Sequence, residues 1–509
     1  MNKKNKLFKI LIIITIIVLC IGLTPKELQN DTFYTIKVGE SISKNGIDML
    51  DHFSIHDISY NYPHWLYDLS IYRIYKLFGL NGIYISTIVL YIILIISIFY
   101  ITNKIIEKSI ELEYSSIITG FITIISLLIL SDFATARAQL PSVILFTYEI
   151  YFIELLIKTG KKRYGIYLTL ISLLVANIHS AVWPMYFIFY LPYLAENLLI
   201  WLSNSKFINY LKKKKVKFKI ESYNNKIEIT KNQNFKFLII VLLISIIMGF
   251  VTPIGDMPFT YAIRIMLGNS QEYILEHQPL MLAQCIDITI LITLYLSILI
   301  FTKTKIKLND LFMLLGLLIM SFISMRHIIF ISTVGTIALT RVLVNFFKEE
   351  QDKSTKQLFN VITKVPVMII VILLISIKGY DELNKNIGKD YINEKKYPIE
   401  ASKYILNNLD VGQIRLYNKY TYGSYLMYRN IPVFIDSRCD LYLNEFNKGV
   451  TVFEDEININ KNYKKIFKKY NITHVIIPKK DTLNLILKEN DNYKSIYKDK
   501  YFIIYERLS

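Results

Sequence analysis

The sequence predicts an α-helical polytopic membrane protein of about 11 transmembrane helices over residues 1–378, followed by a soluble α/β domain over 379–509. Three observations carry this. Of the 509 residues, 53% are hydrophobic and only 20% charged, and the apolar residues gather in repeated long blocks. Lysines collect in the short segments between alternate blocks. After residue 378 the chain turns hydrophilic and alternates helix-type with strand-type patterns.

Apolar runs near 8–24, 84–101, 116–131, 142–157, 164–178, 183–202, 237–252, 287–302, 309–324, 327–345 and 365–378 are each long enough, or nearly so, to cross a ~30 Å hydrocarbon core at ~1.5 Å per residue. The first resembles a signal peptide in charge and apolar core. LTPKELQ follows it instead of a small-x-small cleavage site, so it is expected to remain as the first span. Lys3, Lys4, Lys6 and Lys9 place the N-terminus in the cytoplasm. The alternate segments NKIIEK, KTGKKR, 203–236 with its KKKK run at 212–215, KTKIK and FKEEQDKSTK then all fall inside. The expected protein is a multi-pass plasma-membrane protein with an extracytoplasmic C-terminal domain. The formal charge of +18 is explained by this lysine bias, and no nucleic-acid partner is expected. Cys20, Cys285 and Cys439 form neither a CxxC pair nor an even disulfide framework.

The first outer loop, 25–83, holds the densest supply of reactive groups. Between residues 31 and 68 stand Asp31, Glu40, Asp48, Asp51, Asp57, Asp68 and the histidines His52, His56 and His64. Pro63 suits a first helical turn, and Trp65, Leu69 and Tyr72 recur at i, i+4 and i+7, so an amphipathic interfacial helix is expected there. His64 and Asp68, four apart, would share one face. Such a pair can accept a proton from a hydroxyl nucleophile, or stand as an ordinary solvated pair.

The same alternation, built from lysines alone, sorts the other polar residues. His52, His56, His64, His179, His277, His327 and His474 all fall on the outer side, as do Arg73, Arg137, Arg264 and Arg326. Arginine is scarce in this chain, and guanidinium matches phosphate bidentately. Each arginine could instead pair with Asp31, Asp51, Glu272 or Glu276; as a set they favour an anionic lipid or sugar-phosphate headgroup. Glu149 falls inside a span, where a carboxyl is costly and turns inward. HExxH, P-loop, GxGxxG and GxSxG motifs are missing from the sequence. No internal repeat is visible, which mildly disfavours a transporter of inverted halves.

Beyond residue 378 the patterns suggest helices near 399–408, 460–469 and 481–489, strands near 413–418, 431–436 and 474–478, and a terminal hairpin.

Short motifs run through the whole chain: DTFYTIKVGESI at 31–42, DHFSI at 51–55, PHWLYDL at 63–69, ARAQLPS at 136–142, ANIHSAVW at 176–183, TPIG at 252–255, ILEHQP at 274–279, RHIIF at 326–330, YGSYLMYR at 422–429, FIDSRCDLY at 434–442 and ITHVIIP at 472–478. In order and spacing they resemble a branch of the bacterial GT-C glycosyltransferase superfamily that carries an outer C-terminal domain. The sequence departs from that pattern at Thr35, Ala138 and His277, where the branch tends to have His, Pro and Trp.

The resemblance implies a GT-C-like fold, a polyprenyl-phosphate-linked sugar donor, and an acid in the first outer loop that deprotonates the acceptor hydroxyl. Asp31 matches that acid first and Asp51 second. His64 joins them as a catalytic candidate. Trp65, Arg137, His179, Glu276, Arg326 and His327 are the substrate-binding candidates, with Arg137 and Arg326 clamping the leaving phosphate. The implied partners are the polyprenyl-phosphate sugar donor, membrane lipid, and a cell-surface glycan, lipid or protein acceptor. A divalent cation, Mg or Mn, could be shared between carboxylate and phosphate, although no metal-ligand set stands out. A lipid-linked polysaccharide polymerase or ligase, and a non-catalytic glycan binder or transporter, are the rival expectations.

Overall fold

The computed structural model describes residues 3–107, 115–203, 226–230, 232–268, 274–283, 285–349 and 364–508, with 357 and 361. The KKKK run at 212–215 and Glu272 lie outside the described residues. The first half of the chain forms α1 (Lys3–Leu23), α2 (Asn30–Asn45), α3 (Trp65–Glu107), α4 (Ser115–Leu130), α5 (Gln139–Thr159) and α6 (Lys162–Ile178). Further helices follow at Trp183–Ile188, Leu191–Ser203, Phe235–Ile247, Met257–Leu267, Ile286–Phe301, Leu308–Ile323, Val334–Glu349 and Val365–Ile387.

Length and apolarity qualify five helical segments as membrane spans: Lys6–Leu23, Trp65–Glu107, Ser115–Phe133, Gln139–Thr159 and Ser180–Leu202. A sixth is gained if Met325–Ile331 and Val334–Glu349, bent by 52°, count as one. Phe235–Phe250, Ile288–Phe301 and Leu308–Ile323 are apolar but shorter. Several of the eleven apolar runs thus form helices that end or bend before reaching full spanning length.

α3 is two helices joined at Gly79, whose φ of 61° and ψ of −155° break the ladder. The part before the break exposes Leu77 and Phe78 at 73% and 67%, as suits a helix lying at a headgroup boundary. It carries Trp65, Leu69 and Tyr72 as expected, and α2 packs directly on it. That crossing is tight because Gly39 has no side chain: a Cβ there would sit 2.1 Å from the Asp68 carbonyl oxygen. At a second tight crossing, between α1 and Val365–Ile387, a Cβ on Gly22 would meet the Gly379 carbonyl at 2.0 Å.

The main apolar core fills the helical bundle, from Phe8 through Tyr91, Phe146 and Phe189 to Val342. Inside it a buried charge is matched where Arg341, 1% exposed, donates to Asp310 at 2.8 Å and Glu154 at 3.1 Å. Glu149 turns inward as expected, 0% exposed, and among the described residues neither carboxyl oxygen has a partner.

A second core joins the two ends of the sequence. Leu28, Phe33, Tyr60, Tyr62 and Ile83 pack with Tyr397, Tyr425, Phe434, Tyr442 and Tyr505. The helices Ile399–Asn408, Ile459–Lys469 and Thr482–Lys488 follow the sequence patterns closely. Two short strands, β1 (Ile227–Glu228) and β2 (Ile306–Lys307), pair with each other. The remaining four, β3 (Leu416–Tyr417), β4 (His474–Pro478), β5 (Tyr493–Lys498) and β6 (Phe502–Arg507), form a sheet of order β3-β4-β6-β5 in which only β3 and β4 run parallel. The stretch 431–436, expected as a strand, does not enter this sheet. Val433 instead bonds Phe53 and Ile55 of the first loop at 3.0 and 2.9 Å, and the Asn418 side chain satisfies Phe434 and Ile435.

Candidate active site

Four loops distant in sequence converge where the first loop meets the end of the bundle. Asp31 stands in the first turn of α2, its backbone fixed where Asn30 donates to the Tyr420 carbonyl at 2.9 Å. Arg137 lies in the turn before α5, Glu276 in the 3-10 turn Leu275–His277, and Arg326 in the 3-10 turn Met325–His327. The last two turns are laced together: Met325 N–H donates to Gln278 O at 2.8 Å and Ser324 Oγ to Glu276 O at 3.0 Å. Arg137 then bridges two carboxylates, Asp31 Oδ2 at 2.5 Å and Glu276 Oε1 at 3.0 Å. Burial alone would disfavour the Arg137 charge, but Asp31 and Glu276 hold its pKa above the ordinary value. Burial alone would also raise Glu276, yet Arg137 and Arg326 hold it below its usual range. Arg326 Nη1 donates to His277 Nε2 at 2.7 Å, and among the described residues no carboxylate pairs with it.

The histidines form a neutral wall beside these charges. The His64 and His179 rings meet edge-on with centroids 4.7 Å apart, and His179 Nδ1 lies 3.1 Å from Ser142 Oγ. Burial, then Arg137 and Arg326, push His64 down to about 3. Burial and His64 push His179 well below its usual value. His277 is pushed down to about 4, by burial and Arg326. These rings can accept or donate hydrogen bonds without adding charge. Trp65 Nε1 donates to Asn177 Oδ1 at 3.2 Å, and Ser180 Oγ to Pro63 O at 3.0 Å, which fastens the first loop to the end of α6. His327 is held by its own partners, its Nδ1 on Met320 O at 2.9 Å and its ring stacked on Phe330.

Two expectations change in detail. His64 and Asp68 do not form a side-chain pair. His64 stands just before the helix, where its backbone carbonyl accepts the Asp68 N–H at 2.9 Å, and its ring lies against His179. Asp51 stands apart from Asp31. Its side chain is 0% exposed and accepts from Arg438 at 2.7 Å. Arg438 also binds Asp436 at 2.7 Å and lies over the rings of Phe53 and Tyr60. Asp51 thus joins the first loop to the C-terminal residues.

The C-terminal residues at the site were missed as site residues. Tyr420 and Cys439 both lie in electrostatic range of Asp31, and Cys439 also of Arg326. The available signal was FIDSRCDLY, where three charged groups interrupt an apolar run. A divalent cation does not fit this arrangement: Asp31 and Glu276 both face the Arg137 guanidinium, and among the described residues no three His, Cys, Asp or Glu side chains are grouped to hold a metal.

Comparison with solved structures places this architecture. ArnT from Cupriavidus metallidurans, in its apo state, superposes over 99% of this chain and 98% of its own with a TM-score of 0.50. The fold is GT-C-like. Sequence identity over that match is 10%, so the likeness is one of fold. No protein-family model matches the chain, and no curated protein sequence matches it.

Proposed function

We propose that this chain is an integral membrane glycosyltransferase that moves a sugar from a polyprenyl-phosphate donor to an extracytoplasmic acceptor. The observation that carries this is the meeting of Asp31, Arg137, Glu276 and Arg326 at one partly buried point, with a neutral histidine wall beside them. Among the described residues, no carboxylate pairs with the Arg326 guanidinium, which suits a donor phosphate. Arg137, now spread over two carboxylates, can turn one arm to the same phosphate. That releases Asp31 Oδ2 toward an acceptor hydroxyl. The hydroxyl oxygen then attacks the anomeric carbon while its proton passes to Asp31. The bond from anomeric carbon to phosphate oxygen breaks, and the two arginines hold the departing charge. His64, His179 and Trp65 shape the sugar-facing wall. Asp51 is a structural tie, and residues 379–509 form a domain roofing the site on the extracytoplasmic side.

The test is transfer from radiolabelled undecaprenyl-phosphate hexoses in proteoliposomes. Asp31→Asn should lose about 10²–10⁴-fold in turnover, the range for removing a general base. A folded Asp31→Asn protein with full turnover would show that the base is elsewhere.

A further inference from the structure

Between the apolar helices Phe235–Ile247 and Ile286–Phe301 the chain forms the 11-residue helix Met257–Leu267. Gly255, at a φ of 64°, turns the chain into it, and Pro258 suits its first turn. At ~1.5 Å per residue the helix is about 16 Å long, half of what a ~30 Å hydrocarbon core demands. It runs instead across the end of the bundle that holds the candidate site. Near its start the Phe259 and Trp183 rings meet with centroids 4.8 Å apart. Trp183 directly follows the turn Ser180–Val182, whose Val182 N–H donates to His179 O at 3.1 Å. Further along, the Tyr261 ring meets Phe446 at 5.0 Å, and the Arg264 guanidinium lies over the same Phe446 ring at 5.8 Å. Just past the last turn, a Cβ on Gly268 would sit 2.8 Å from the Glu445 carboxyl carbon.

The helix has two unlike faces. Tyr261, Arg264 and Gly268, at i, i+3 and i+7, share the side turned to the C-terminal domain. Phe259, Ile263 and Met266, at i, i+4 and i+7, share the opposite side, with Leu267 next to them. Ile263, Met266 and Leu267 are 57%, 83% and 78% exposed. Such a patch is costly in water. It is continuous with a surface that meets lipid: Ile240, Leu243, Ile247 and Phe250 of the preceding helix and its turn are all exposed and recur at i, i+3, i+7 and i+10. The Phe250 ring then meets Phe259 at 4.5 Å. The apolar surface therefore passes from the lipid-facing side of one helix onto one side of the next, while the other side of that next helix holds the C-terminal domain.

We propose that Met257–Leu267 lies in the plane of the bilayer, on the side of the candidate site, with Ile263, Met266 and Leu267 seated at the boundary of headgroups and acyl chains. Through Phe446 it fixes the C-terminal domain at the lipid surface. The helix is a strut, with lipid on one face, the domain on the other, and the turn after His179 at its start. This seating requires only a bilayer and is independent of the transfer chemistry proposed above.

Nitroxide accessibility in phosphatidylethanolamine–phosphatidylglycerol proteoliposomes provides the test. In full-length protein with Cys20→Ser, Cys285→Ser and Cys439→Ser, spin labels are attached singly at Ile263→Cys, at Met266→Cys and, as a control on an exposed apolar residue of the C-terminal domain, at Leu485→Cys. Collisions with oxygen, which concentrates in lipid, are compared with collisions with a water-soluble nickel chelate. Labels at 263 and 266 should favour oxygen several-fold, and the label at 485 should favour the chelate. A label at 266 that meets the chelate as freely as the label at 485 would overturn the seating. So would shielding from both probes with spin–spin broadening that dilution by unlabelled protein removes, since a second copy of the chain would then cover the face. Should either cysteine variant fail to fold, Leu267→Cys carries the same comparison. For the strut, Met266→Ser with Leu267→Ser should raise tryptic cleavage after Lys448 several-fold in proteoliposomes while the bundle stays assembled by size-exclusion chromatography. Unchanged cleavage would show that the C-terminal domain is not held through this helix.

Discussion

Arg137 is the residue on which the site turns, because one guanidinium serves two carboxylates now and a phosphate in the proposed reaction. Lysine cannot span that fork. Arg137→Lys should keep the fold, as judged by an unchanged melting temperature, and lower kcat/KM by about two orders of magnitude, or ~2.7 kcal/mol. The depressed histidines give a pH signature. His64 near 3 and His277 near 4 stay unprotonated in the folded state, whereas unfolded histidine takes a proton near 6.5. Below pH ~6.5 the unfolded state therefore binds more protons, and stability falls as pH drops toward 4 and 3. Thermal melts in detergent should show this decline between pH 7 and 4.5, and His64→Gln with His277→Gln should flatten it. An unchanged slope in the double variant would mean that neither ring is buried as described. At this scale Asp31, Arg137, Glu276, Arg326, His64 and His179 were legible as polar groups sharing one side of a charge alternation. The partner of Asp51 was not, since Arg438 lies 387 residues away and nothing local announces it.

Among the elements, α2 and the first part of α3 set where Asp31 points, and Gly39 sets how closely they cross. Gly39→Val should push α2 off the Asp68 carbonyl and displace Asp31 from Arg137. Turnover should fall at least tenfold while the bundle remains assembled by size-exclusion chromatography; normal turnover would place the Asp31 geometry under other control. Helices such as Ile399–Asn408 and Ile459–Lys469 were legible because one apolar stripe decides them. The stretch 431–436 was not, because its strand-like composition reflects burial between two parts of the chain and its hydrogen bonds go to Phe53, Ile55 and Asn418. Likewise the early turn at Pro63–His64 undid the expected His64–Asp68 pair, since four-residue spacing aligns side chains only within one continuous helix.

For the whole molecule, the GT-C-like bundle was foreshadowed by apolar blocks and short motifs, whereas helix breaks at Gly79, at Phe189–Tyr190 and beside Arg326 could not be read from hydropathy. The proposed orientation is checked by cysteine labelling: His56→Cys and Lys213→Cys should react from opposite sides of the membrane, and reaction from the same side would remove the outer-face assignment. The Asp51–Arg438–Asp436 cluster also bears on how the protein is made. Asp51 emerges early in synthesis and its guanidinium follows 387 residues later. Until then the first loop has neither its charge partner nor the aromatic core it shares with Tyr397, Tyr425 and Phe434. The first loop therefore gains this tie late, when the segment around Arg438 has been made, and a chain cut before Arg438 lacks it. A chain ended after Asn408 should insert in the membrane yet leave residues 46–62 open to protease, while the full chain resists cleavage there.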